Sequence, residues 1–329
     1  MLQWQGNKCE NGITLKPCSI EPLSDAKVSK RYLCEVLLGC CWSNLTHSCH
    51  QPVMKAQPVD AMKCGQMRNP LVMGGRAADR WPASVQLHVH YPNFITKLSK
   101  QRCEGVLIGP DLVLTAAHCF IQARQLGETQ YQTNATKVDI FYGQYYRDKF
   151  DRHLTASAVI ANEGFIQYHS SVFDLAIVRL NGSVRTQYPC LPDYDQTVRP
   201  GTRCSAVGFG AGLPKHGADE PPPVLQQLDV EIRHHSHEVC EGRKAFICAT
   251  DISRKGALCM GDSGGPLYCR RERPPHPPSS LDWKPVFVEG VLSHGTDTCS
   301  QMDRLYNNFY VPTSKFYYWI RAVANNLTT

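Results

Sequence analysis

The sequence predicts an all-β body that ends in one helix and is preceded by a small disulfide-stapled module. Three patterns carry this. From about residue 71 onward, short segments alternating apolar and polar residues recur between Gly, Pro and Asp breaks. The last segment switches to helical spacing. Six of the sixteen cysteines, Cys9, Cys18, Cys34, Cys40, Cys41 and Cys49, crowd into the first 49 residues.

A piece as short as residues 1–51 has too little apolar surface to fold on burial alone, so its cysteines read as a covalent framework. Residues 52–70 carry Pro52, Pro58 and Pro70 with little periodicity and one further cysteine, Cys64; they read as a linker or propiece. The body, 71–329, opens with Val85, Leu87, Val89 and Tyr91 at period two, repeated by Val138 and Ile140 and by Val230 and Ile232. Residues 106–114, 175–180 and 286–292 are nearly continuous in apolar side chains, as strands buried on both faces would be, and together these give a sandwich or barrel signature. Residues 213–223 and 273–280 are polar and Pro-rich and read as surface loops. In residues 314–326, Phe316, Trp319, Ile320 and Val323 recur at helical intervals behind Ser314, a candidate cap.

Composition limits the function classes. With 42% hydrophobic and 19% charged residues, disorder is excluded as the main state. The most apolar segment, 33–42, falls short of the roughly 20 residues of a membrane-spanning helix and contains Glu35, so no membrane span is expected. The net charge of +6 is scattered, without the basic stripe of a nucleic-acid binder. Sixteen cysteines without metal-ligand spacing indicate eight disulfides and an extracellular, secreted protein. Sequons at Asn44, Asn134, Asn181 and Asn326 agree with a glycoprotein. The opening residues 1–11 are polar and lack a signal peptide's apolar core, which leaves a missing or removed leader as the expectation.

Three segments carry chemistry. Gly261-Asp262-Ser263-Gly264-Gly265-Pro266 sets a serine among glycines, where the chain can turn tightly and aim amides at a developing negative charge. Leu114-Thr115-Ala116-Ala117-His118-Cys119 ends an apolar strand on a histidine beside a cysteine. Asp174 opens the apolar strand Leu175-Ala176-Ile177-Val178-Arg179-Leu180, a costly place for a charge without a partner.

With His, Asp and Ser in this chain order, residues 71–329 resemble the trypsin and chymotrypsin family of serine endopeptidases. The resemblance implies two six-stranded antiparallel β-barrels and peptide-bond hydrolysis through an acyl-enzyme. It implies His118 as general base and then acid, Asp174 as its orienter, Ser263 as nucleophile and the amides of Gly261 and Ser263 as the oxyanion hole. Ser293, in Leu292-Ser293-His294-Gly295, matches the family's serine near the triad aspartate, and His294 stands where a tryptophan is usual. The resemblance pairs Cys103 with Cys119, Cys204 with Cys269, Cys240 with Cys248 and Cys259 with Cys299, and makes Cys190 the anchor of a cleaved propiece, with Cys64 as its partner. Six cysteines then remain for the first module. Their adjacent pair, Cys40-Cys41, makes 9–49 look similar to a trefoil domain; the insect clip domain is the alternative, although its adjacent pair comes last. Either module would bind a glycan or protein ligand.

By the same resemblance Ala257, Leu258, Gly295 and Asn308 line the primary specificity pocket. None is acidic, so an uncharged side chain is expected before the scissile bond rather than Lys or Arg. The resemblance also implies a zymogen, in which a freed amine inserts beside Asp262. No basic residue directly precedes Leu71 or Val72, so a non-tryptic activating protease is expected to cut after Leu71 and free Val72. Neither the histidines at 234, 235 and 237 nor Asp148, Asp151 and Glu163 form a recognisable metal set, so no metal or other cofactor is expected. Asp297 and Asp303 read as solvated acids that would at most favour basic residues at neighbouring subsites. The alternative function is a catalytically inactive homologue serving as a binding or regulatory scaffold, because fold alone does not confer activity.

Overall fold

The structure is a computed structural model that describes residues 18, 29–34, 38, 40–43, 48–50, 64, 81–92, 100–126, 129–149, 152–168, 170–210, 224–253, 256, 258–271, 285–295 and 307–328. Its body is two closed six-stranded antiparallel barrels. The first is built from β3 (Ser84–His90), β4 (Lys100–Leu107), β5 (Leu112–Thr115), β8 (Lys137–Tyr142), β9 (His153–Ala161) and β10 (Ala176–Leu180), following β1 (Cys41–Ser43) and β2 (Ser48–His50) and interrupted by β6 (Ile121–Leu126) and β7 (Thr129–Asn134). The second is built from β11 (Arg203–Gly208), β12 (Gln226–Ile232), β13 (Ile247–Asp251), β14 (Pro266–Arg270), β15 (Val286–Gly295) and β16 (Asn307–Pro312). Closure leaves no barrel edge unpaired and turns one face of every strand inward.

The predicted strands are present, with three differences. The segment 106–114 is not one strand: Gly109, Pro110 and Asp111 turn the chain so that β4 ends and β5 returns against it, Val106 opposite Leu114. In β3 the polar alternates Gln86 and His88 are buried, each 2% exposed, because both faces of that strand are covered. A hairpin of β6 (Ile121–Leu126) and β7 (Thr129–Asn134), held by main-chain pairing, had no apolar alternation to announce it.

The closing helix runs Tyr317–Thr328 rather than from Ser314. The Ser314 carbonyl accepts the Asp195 N–H, and the Thr313 hydroxyl donates to the Val288 carbonyl, so the residues before Tyr317 are held as a turn by the second barrel. Phe316, Trp319, Ile320 and Val323 are all buried, and Phe316 meets Phe173 edge to face at 6.1 Å. This anchors the helix beside the residue that precedes Asp174.

Near the N-terminus, Cys18 joins Cys40 and Cys34 joins Cys49, and β1 pairs with β2. In the body, Cys103–Cys119, Cys204–Cys269 and Cys240–Cys248 are bonded as the resemblance implied, and so is Cys64–Cys190. Cys259 is disulfide-bonded; its expected partner Cys299 lies outside the described residues. The expected loops at 213–223 and 273–280 also lie outside them.

Candidate active site

Strand register places the histidine and the aspartate. β10 pairs antiparallel with β5, with Ala176 opposite Thr115. Asp174 precedes that pair and His118 follows it, so both leave the first barrel at the same end. A short helical turn, Ala117–Cys119, carries His118, and the Cys103–Cys119 disulfide ties this turn to β4. A second such turn, Ser171–Phe173, delivers Asp174.

The carboxylate is 1% exposed and accepts three hydrogen bonds. The His118 backbone N–H donates to Oδ1 at 2.9 Å, the His118 Nδ1 to Oδ2 at 2.7 Å, and the Ser293 hydroxyl to Oδ2 at 2.6 Å. Burial works against the Asp174 charge, but the His118 charge and these hydrogen bonds outweigh it and hold Asp174 below its ordinary pKa. Burial likewise opposes the His118 imidazolium, and the attraction and hydrogen bond of Asp174 win, so the His118 pKa is raised. Because Nδ1–H is committed to Asp174, neutral His118 keeps Nε2 as its acceptor.

Ser263 comes from the second barrel, in the turn before β14. The Glu104 N–H donates to the Ser263 carbonyl at 2.7 Å, and Thr115 Oγ1 donates to the Glu104 carbonyl at 2.6 Å, so the serine turn is fastened to the strand that leads to His118. Gly264 makes this approach possible. Its φ is +81°, and a Cβ there would lie 2.2 Å from Thr115 Oγ1. The Ser263 hydroxyl makes no hydrogen bond to His118 among the described residues; its backbone is what the fold brings to the histidine turn.

The amides of this turn divide into two sets. The N–H groups of Asp262, Gly264 and Gly265 bond to the carbonyls of Cys259, Leu292 and Asp262. Those of Gly261 and Ser263 have no partner among the described residues, which leaves two donors on one turn free for an anionic oxygen.

Leu258, Gly295 and Asn308 are brought together: the place of a Gly295 Cβ lies 3.6 Å from Asn308 Oδ1 and 3.9 Å from the Leu258 carbonyl. Asn308 Nδ2 and the Tyr310 hydroxyl are buried without a hydrogen bond among the described residues. His294 stacks on Phe309 at 5.0 Å and meets Phe246 edge to face at 4.9 Å, so an aromatic cluster occupies the place of the usual tryptophan. Ala257, Leu71 and Val72 lie outside the described residues. Cys18, Cys40 and Cys49, and Cys103, His118 and Cys119, sit close enough to share a metal ion, but every one of these cysteines is committed to a disulfide.

Sequence reasoning missed Glu104. This carboxylate, 2% exposed, leaves β4 and accepts the Phe209 N–H of the other barrel, beside Asp262. The available signal was a charge standing just before the apolar residues Val106, Leu107 and Ile108, much as Asp174 stands before its apolar strand.

A profile of the family described as Trypsin matches residues 72–320. The chain belongs to the trypsin family. Among curated trypsin-family relatives it is 28% identical over 272 residues to Transmembrane protease serine 7 of Rattus norvegicus, covering 78% of this chain and 28% of that protein. The Mus musculus protein of the same name matches at 28% identity, with 29% of its length covered. The chain therefore spans under a third of the length of these relatives. Two solved structures, described as an atomic-resolution structure of HBP and as human heparin binding protein, superpose with TM-scores of 0.54 and 0.53 at 22% identity. They cover 77% and 78% of this chain and 97% of theirs, a likeness of fold.

Proposed function

We propose that the chain is a secreted serine endopeptidase made as a zymogen. His118 takes the Ser263 proton as the hydroxyl attacks a peptide carbonyl, Asp174 holds His118 in the required tautomer, and the Gly261 and Ser263 amides receive the oxyanion. His118 then protonates the leaving amine, and water releases the acyl group by the reverse route. The observation that carries this reading is the buried Asp174 carboxylate, bonded to both the backbone and the ring of His118 and to Ser293 of the opposite barrel. An aspartate serving packing alone would not need to fix an imidazole at its Nδ1.

The pocket, from Ala257, Leu258, Gly295 and Asn308, would take an uncharged side chain, since a buried unpaired cation costs about 3–5 kcal/mol. Residues 1–51, trefoil-like or clip-like, would bind a glycan or protein ligand, with 52–70 as linker and 71–329 as the protease. Six disulfides among the described residues support a location outside the cytosol, and the sequon residues Asn134, Asn181 and Asn326 are exposed. The relatives' printed name assigns them to membranes; among the described residues here no helix is long and apolar enough to cross one. Cleavage after Leu71 would free Val72 for Asp262, and the Cys64–Cys190 bond would keep the two chains together. The test is a peptide-library assay of protein with the mature terminus verified by amino-terminal sequencing. Cleavage after uncharged residues is expected. A strong preference for arginine would refute the pocket assignment, and an active enzyme beginning at Asn69 would refute the activation site.

A further inference from the structure

Two buried carboxylates meet beneath the serine turn. Asp262, 5% exposed, accepts the Gly210 N–H on Oδ1 and the Cys259 N–H on Oδ2, each at 2.7 Å. Glu104 reaches the same place from the first barrel and accepts the N–H of Phe209, the residue before Gly210. The absent side chain of Gly208 measures their closeness: a Cβ there would stand 2.1 Å from Asp262 Oδ1 and 2.9 Å from Glu104 Oε2. Main-chain donors satisfy part of this charge, but among the described residues neither carboxylate has an ion-pair partner. Of the groups facing them, Tyr268 donates or accepts at Ser84, Tyr310 is neutral, and Arg147 acts on Asp262 only through space.

We propose that Glu104 is a positioning residue of the processed enzyme, forming with Asp262 a two-carboxylate receptor for one buried ammonium, the amine freed by activation cleavage. This rests on the zymogen reading above and adds a second acceptor to it. Two adjacent buried carboxylates cannot both stay ionised without a cation. Burial, then the charge of Asp262, pushes Glu104 well above the usual carboxylate range, and burial lifts Asp262 to about 6. In the uncleaved chain a proton on Glu104 therefore occupies the role of the missing cation. When the ammonium docks, that proton leaves to solvent, and Glu104, whose own N–H holds the Ser263 carbonyl, couples the docked amine to the serine turn.

The test compares chain cleaved in vitro after Leu71 with its Glu104→Gln and Glu104→Asp variants, reading the rate of fluorophosphonate labelling of Ser263 against pH. Glutamine keeps an acceptor for the Phe209 N–H, so a purely structural Glu104 predicts an unchanged profile. The receptor predicts that the alkaline fall in rate, where the amine loses its proton, moves down by about one pH unit or more in Glu104→Gln and is restored in Glu104→Asp. An unmoved alkaline limb overturns the proposal. Infrared spectra of wild-type protein bearing 13C-glutamate supply a readout independent of folding variants and of catalysis: a buried protonated glutamate carbonyl band should be present before cleavage and lost after it. Persistence of that band after cleavage also overturns the proposal, whether or not the serine labels. Absence of labelling at every pH would instead refute the proposed activity, leaving the band to decide on Glu104.

Discussion

Asp174→Asn isolates what the buried carboxylate does. The wild-type group is an acceptor on both oxygens, toward the His118 N–H, the His118 ring and Ser293. An amide of the same shape has one acceptor and one donor. If its oxygen faces His118 Nδ1, its NH2 confronts the His118 backbone N–H, leaving two buried donors opposed. If it turns over, the backbone bond survives, but the NH2 now faces Nδ1, which must shed its proton to Nε2. The second arrangement satisfies every group and places the wrong tautomer toward Ser263. The expected loss in kcat is about 10^4-fold, the size found for this change in the Ser–His–Asp template, or about 5 kcal/mol of barrier. The assay is peptide hydrolysis by processed enzyme across pH, with circular dichroism to verify the fold. The residual acid limb should also move down, because the charge that raises the His118 pKa is gone. A folded variant within tenfold of wild type would refute the assigned role of Asp174.

Three further outcomes follow. Wild-type kcat/KM should rise with pH along a limb above the ordinary histidine value of about 6.5, since His118 must be neutral to act and Asp174 favours its charged form; the pair's contribution to stability is present between the lowered Asp174 pKa and the raised His118 pKa, lost as pH rises through the latter and lost again as pH falls through the former. Arg271→Leu removes both bonds to Glu289, 2.6 and 2.7 Å long, and strands a carboxylate that is 1% exposed. A loss of about 3 kcal/mol, or roughly 5–10 °C in Tm, is expected by calorimetry, shrinking as pH falls through the raised Glu289 pKa, and an unchanged Tm would contradict it. Finally, Cys64→Ser combined with Cys190→Ser should release the propiece from the cleaved protein on a non-reducing gel while leaving peptide hydrolysis in place; retention on that gel would show a second covalent tether.

What was legible in the sequence was what local pattern controls. Val138 and Ile140 read as one face of a strand because their strand is half covered, and Asp174 stood out because a charge beside an apolar strand needs a partner. Gln86 and His88 misled for the opposite reason: their covering lies on other segments, so alternation could not reveal that both faces are buried. The helix start moved because the Ser314 carbonyl and the Thr313 hydroxyl are held by Asp195 and Val288, contacts that outweigh a local cap. Glu104 gives a weaker local signal than Asp174, because the polar residues Lys100, Gln101 and Arg102 lead into it, and its partner is the Phe209 backbone amide, which no sequence pattern marks.

The rate at which a fluorophosphonate modifies processed protein, measured against pH in wild type and in His118→Ala, tests the proton relay most directly. The prediction is stoichiometric modification confined to Ser263, faster as His118 loses its proton and slowed at least about 10^3-fold when the imidazole is removed. Equal rates in the two proteins, or modification elsewhere than Ser263, would contradict it.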